Sequence, residues 1–180
     1  MSATGAATVG SHEWLVACEQ IRQLASRYAV TMNHRDLEAL VQLFVPDVLV
    51  SRENSGRDAL RASLEQQLRP LGRSILQVTN QVIDFVDDTH ATGIVGTRGE
   101  IELLDGDTGA WVVQVIEYHD TYERREGRWL FVRRRHYLWY GAPSTTSPIG
   151  LPPANWPASA VGSGDLPDAL PSWQRWTERR

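Results

Sequence analysis

WVVQVIEYHDTYERREGRWLFVRRRHYLWY, residues 111–140, is the stretch on which the fold turns. Two runs rich in valine, isoleucine, tyrosine and tryptophan, Trp111 to Arg124 and Arg128 to Tyr140, flank the pair Glu126-Gly127. β-Branched and aromatic residues suit strands, and a short break containing glycine suits a tight hairpin. The spacing therefore predicts two long antiparallel strands. Upstream, Ile75 to Val86 and Ala91 to Leu104 have the same character, with turns expected at Asp87-Asp88 and at 105–107. Four hairpin-linked strands in succession make an antiparallel sheet.

Before Arg73 the period is helical. Leu15, Cys18, Ile21, Leu24, Ala25 and Tyr28 recur at three- and four-residue steps, the spacing of one helix face. The polar stretch Asn33-His34-Arg35-Asp36 interrupts it, and Asp36 is placed to cap a second helix carrying Leu37, Leu40, Val41 and Phe44. That helix stops before Pro46. A third runs from about Asp58 to Leu68, with Leu60, Leu64 and Leu68 on one stripe. Helices first and hairpins after predict an α+β domain and not a βαβ fold.

The 180 residues suit one domain, and 42% hydrophobic content suffices for its core. A flexible leader is expected over 1–12, the domain over 13–141, and a Pro-rich tail over 142–180. Trp173 and Trp176 near the end could pack on the domain or on a neighbouring subunit, or belong to a disordered end. A net charge of −4 gives no basic footprint for nucleic acid, and no polybasic run suggests a membrane surface. No apolar run approaches the ~20 residues needed to span a bilayer, and residues 1–12 lack the regions of a signal peptide, so the expected location is cytoplasmic. The one cysteine, Cys18, cannot make an internal disulfide. The five histidines are dispersed, and no phosphate loop, dinucleotide fingerprint or nucleophile elbow occurs. No metal or cofactor is expected.

Alternation along the strands groups the polar residues by face. Val113, Val115, Glu117 and His119 share one side of the third strand, and Val112, Gln114, Ile116 and Tyr118 the other. Arg98 and Glu100 share a face of the second strand, as an ion pair on a cavity wall or on the surface. In the fourth strand Arg133, Arg135, Tyr137 and Trp139 alternate with Arg134, His136, Leu138 and Tyr140, so one of the arginines points toward the helices. An inward Arg135 would need Glu117 or Glu100 as partner. Seven tryptophans, among them Trp111, Trp129 and Trp139 in the sheet, offer flat walls for a cyclic ligand or serve as packing.

Ile21-Arg22-Gln23-Leu24-Ala25-Ser26-Arg27-Tyr28-Ala29, then Asn33-His34-Arg35-Asp36, then Leu43-Phe44 with Asp47, carry a resemblance. So do the segment Tyr118 to Arg124 and Gly127-Arg128-Trp129. Together they resemble the SnoaL-like branch of the nuclear-transport-factor-2-like superfamily. The resemblance implies a cone-shaped α+β fold with helices packed on a curved sheet around a pocket. It also suggests that the odd-numbered face of the third strand lines the cone. His119 and Glu117 would then form an acid–base pair there, with Tyr28 as donor to an oxyanion. Asn33, Arg135, Tyr137, Glu100, Arg98, Trp139 and Trp111 would contact substrate. Several lyases of this branch pair an Asp with a His, and those positions hold Asn33 and Leu76 here, neither of which titrates. The expected activity is a cofactor-independent lyase or isomerase (dehydration, formaldehyde loss or double-bond migration) on a small hydrophobic, aromatic or cyclic, hydroxylated compound. The alternatives are a binding or assembly module without turnover, and an epoxide hydrolase built on inward Glu100, Arg135 and Glu117. The resemblance further implies a homodimer through the outer sheet face, to which Tyr118, Tyr122 and Tyr140 are assigned.

Overall fold

The computed structural model describes residues 8–104, 110–145, 148, 167 and 170–179. Residues 1–7 of the expected leader, the turn at 105–107 and much of the tail lie outside the described residues. Helix α1 spans His12–Asn33, α2 Leu37–Val41, α3 Arg57–Leu68 and α4 Pro171–Glu178. The strands are β1 (Leu71–Phe85), β2 (His90–Leu103), β3 (Ala110–Arg125) and β4 (Arg128–Pro143), forming one antiparallel sheet in the order β1-β2-β3-β4.

Local chemistry sets the helix ends. Ser11 accepts a hydrogen bond from the Trp14 N–H at 3.1 Å and starts α1 with Glu13 in its first turn. The α1 stripe is Ala17, Cys18, Ile21, Leu24, Ala25 and Ala29, all buried, while Leu15 is exposed. Asp36 caps α2 through the Ala39 N–H. That helix is shorter than its pattern predicts: Phe44 lies beyond it and bridges to Phe131 of β4. Glu126 and Gly127 both have positive φ, 51° and 78°, the geometry of the tight β3–β4 turn.

α1 lies across the sheet. Ala25 and Ala29 pack on Leu76, Val95, Ile116 and Tyr118, one from each of the first two strands and two from β3. A larger core joins Ile21, Leu24, Leu40, Phe44, Tyr122, Phe131 and Trp129 with Trp176 of α4. α4 is therefore held on the domain, with Trp173 and Trp176 each 8% exposed and the Arg35 guanidinium 4.6 Å from the Trp173 ring.

The expected orientation of the sheet is reversed. On β3 the inner side belongs to Ile116, Tyr118, Asp120 and Tyr122, all buried, and Glu117 and His119 face outward. Tyr118 and Tyr122 are thus core residues and not part of an outer oligomer face; Tyr140, opposite Val115, does face outward. The β4 register explains why Arg134, and not Arg135, points in. Pairing counted from the turn runs Arg125↔Arg128 to Tyr122↔Phe131, and then skips to Thr121↔Arg133. Val132 is the extra residue of a bulge, and it swaps the face of everything that follows. A second bulge at Trp139 separates Ile116↔Leu138 from Val115↔Tyr140.

Replacing Trp176 removes a core side chain and the tie that holds α4. Trp176→Ala should lower the unfolding free energy by about 3–5 kcal/mol in denaturant titrations.

Candidate functional site

The inner face carries one buried ion pair. Arg134 Nε donates to Asp120 Oδ1 at 2.8 Å and Nη2 to Oδ2 at 2.7 Å, a bidentate contact between side chains 4% and 0% exposed. The Tyr122 hydroxyl also donates to Asp120 Oδ2 at 2.8 Å, and Gln81 Nε2 donates to the Tyr122 oxygen at 3.3 Å. Asp120 thus accepts three hydrogen bonds, which is how a carboxylate survives burial. Gly93, opposite Asp120 on β2, makes room for this network: a Cβ there would meet the Tyr122 ring and hydroxyl at 3.0 and 3.1 Å.

The guanidinium of Arg134 lies 4.4 Å from the Tyr28 ring centre, 4.5 Å from Tyr118 and 4.4 Å from Phe131. Tyr28 of α1 and Tyr118 of β3 meet edge to face at 5.9 Å. Neither hydroxyl bonds a described residue. Burial raises both phenol pKa values, against the pull of Arg134. At neutral pH both phenols keep their protons and are available as hydrogen-bond donors. Arg134 itself stays charged: burial opposes the charge, but the Asp120 hydrogen bonds and charge outweigh it and raise the pKa.

His136 sits beside this pair. It is opposite Tyr118 in the sheet, with ring centres 5.5 Å apart. The residue is exposed, yet desolvation beside the cluster lowers its pKa, partly offset by a backbone hydrogen bond, which favours a neutral imidazole able to accept a proton at pH 7. Asn33 and Leu76 also adjoin, but the amide is engaged. Asn33 Nδ2 donates to the Leu76 carbonyl at 3.2 Å and Oδ1 accepts from the Leu76 N–H at 2.7 Å. Asn33 therefore joins the end of α1 to β1 instead of reaching for substrate.

Of the residues singled out from sequence, only Tyr28 and Asn33 lie on the inner side. The others gather on the outer face. Glu117 and His119 do pair, at 2.7 Å, and the His119 ring lies 4.6 Å from Tyr137. Arg135 is directly opposite His119, and Trp139 is 66% exposed on its bulge. Arg98 and Glu100 make a surface contact at 3.4 Å, and the buried Trp111 donates to Glu100 at 3.2 Å. The inward Glu100–Arg135–Glu117 arrangement required for epoxide hydrolysis is not formed. Asp120, Arg134, Tyr118 and His136 were missed as a group. The signal for them was the apolar Ile116, Tyr118 and Tyr122 alternation, which marks that face as the inner one. Among the described residues no three His, Cys, Asp or Glu side chains converge for a metal, and no helix is long and apolar enough to cross a membrane.

The sequence matches the SnoaL-like domain over residues 15–135. No curated protein matches it. Among solved structures, a type 2 hexachlorocyclohexane dehydrochlorinase superposes with TM-score 0.67 at 21% identity, over 77% of this chain and 98% of its own. A putative scytalone dehydratase from Novosphingobium aromaticivorans gives 0.61 at 24%, over 78% and 97%. A type 3 hexachlorocyclohexane dehydrochlorinase from Novosphingobium barchaimii gives 0.64 at 22%, over 74% and 93%. This chain belongs to the SnoaL-like domain family, and its architecture is the nuclear-transport-factor-2-like fold.

The ion pair is open to a double-mutant cycle. Arg134→Met strands a buried carboxylate and should cost about 3–5 kcal/mol of unfolding free energy. The double variant Asp120→Leu with Arg134→Met should recover a large part of that loss, as measured by urea titration.

Proposed function

We propose that this protein is a cofactor-independent lyase or isomerase for a small hydrophobic, hydroxylated cyclic compound, working on the inner face of the sheet. The observation that carries the reading is the pairing of two protonated phenols, Tyr28 and Tyr118, over one buried guanidinium, with a neutral imidazole alongside. Water or formaldehyde loss and double-bond migration each need one proton mover and one donor to a developing oxyanion, in a site poor in water. His136 takes the proton-moving role that the sequence had assigned to His119. Tyr28 and Tyr118 donate to the oxygen where negative charge develops. Arg134 does not touch the substrate; its charge favours negative charge on or near the phenols. The family membership and the dehydrochlorinase and dehydratase names of the three structural relatives agree with this class of reaction.

A second reading, binding without turnover, is favoured by one feature. Asn33 stands where related lyases hold an Asp, and its amide is spent on the Leu76 backbone.

The test is mass spectrometry of hydroxylated aryl and alicyclic compounds incubated with the protein and no added cofactor. Turnover should yield products lacking water or formaldehyde, or isomers of unchanged mass; binding with no product across the panel would establish the second reading. His136→Gln should lower kcat by roughly 10²–10⁴-fold. Tyr28→Phe should lower it by about 10²–10³-fold, with the far-UV circular dichroism unchanged in both. The pH profile follows from the lowered His136 pKa. The base form is populated above a value below the usual ~6.5, so kcat/KM should rise with pH through a midpoint below that value and then level off. Stability should follow the same sign. The neutral ring is favoured by the fold, so its contribution is complete above the unfolded value and is lost as pH falls through the folded one.

A further inference from the structure

The outer face of the sheet holds a second group of chemically capable side chains that the inner-face reaction does not use. Two cross-strand rows define it. Asp84, Thr92, Thr121 and Arg133 lie opposite one another from β1 to β4, and the next row is Val82, Ile94, His119 and Arg135. Between these rows is a recess of about 340 Å³, within the range of small-molecule sites. Arg133 and Arg135 wall one end of it, His119 and Thr121 the middle, and Ile94 and Gly93 supply an apolar floor.

The charges in the recess are unbalanced at that end. Arg133 and Arg135 make no ion pair with any described residue. Glu117 and Glu123, the carboxylates that flank this pair of rows on β3, are engaged with His119 at 2.7 Å and with Arg125 at 2.8 Å. The Asp120 carboxylate lies on the other side of the sheet and is held by Arg134. Asp84 lines the far end, three strand spacings away, or about 14 Å. His119 is fixed from two sides, by Glu117 and by the Tyr137 ring. The two arginines at the cationic end are exposed and uncompensated, beside a histidine held in place, and they adjoin a small apolar surface.

We propose that this recess is a binding site for a small organic carboxylate, separate from the inner-face site. The carboxylate would sit between Arg133 and Arg135, whose forked donors suit its two oxygens, with Thr121 as a further donor. The apolar body would rest on Ile94 and Gly93. A carboxylate is favoured over a multiply charged anion because Asp84 closes the same recess. The reading does not depend on the inner-face chemistry.

Benzoate is a suitable probe, titrated into the full ¹⁵N-labelled chain while the amides of Thr92 and Thr121 and the arginine Nε–H groups are followed by NMR. Saturable shifts at these positions are expected. Arg133→Met with Arg135→Met should weaken benzoate at least tenfold and leave any inner-face turnover unchanged. Tyr28→Phe should leave benzoate affinity unchanged, which separates this site from the other. The proposal is overturned if benzoate shifts inner-face residues alone, or if its affinity is the same in the double variant. It is equally overturned if benzoate fails to bind while sedimentation shows a dimer that the double variant dissociates, because a second copy of the chain then covers the face.

Discussion

Much of the interior is organised around the contact between Asp120 and Arg134. A charged pair this deep in a small α+β domain is costly unless hydrogen bonds replace the lost water, and here the Asp120 carboxylate accepts three. Both guanidinium contacts, the Tyr122 hydroxyl and Gln81 behind it form a connected set. The flat face of the guanidinium then serves as a platform for Tyr28, Tyr118 and Phe131. Those rings tie α1 to the sheet and to Phe44 beyond α2. The pair thus determines where the first helix sits as well as the electrostatics beneath it.

That arrangement limits the chemistry available. Tyrosines raised in pKa by burial cannot serve as bases at neutral pH, but they are effective donors. The carboxylate within reach is committed to arginine, so it is unsuited to moving protons. What remains is the imidazole of His136, on the exposed side of the aromatic cluster, whose pKa desolvation lowers. Asn33 and Leu76 show the same division of labour from the other direction. The positions remain adjacent, but the amide fastens helix to strand.

The sheet therefore has two faces of different kinds. The inner one is aromatic and organised around a single ion pair. The outer one carries Glu117–His119, Arg98–Glu100, Arg133, Arg135, Tyr137 and Trp139 with much of their polar capacity open. Residues grouped from alternation as a catalytic set do stand together, since opposite residues in antiparallel strands share a side. They stand together on the side away from the helices.

Element order was legible in the sequence because it depends on local chemistry. The α1 stripe, the Asp36 cap, the Glu126-Gly127 turn and the β-branched runs each act within a few residues. The four-strand order follows from hairpins too short to allow any other. The face that looks inward was not legible, because alternation reports which residues are together and is silent on what covers them. Nor was the β4 register. Counting back from the turn places Arg133 opposite Asp120, and one extra residue at Val132 places Arg134 there instead. A bulge depends on how the sheet twists against α1 and how the Phe131 ring packs, and these are properties of the assembled core. The sequence by itself determined that this chain makes helices and a hairpin sheet of the SnoaL-like type. Only the tertiary structure decided which arginine is buried and which histidine faces the phenols, because a single-residue shift in a strand exchanges its two sides.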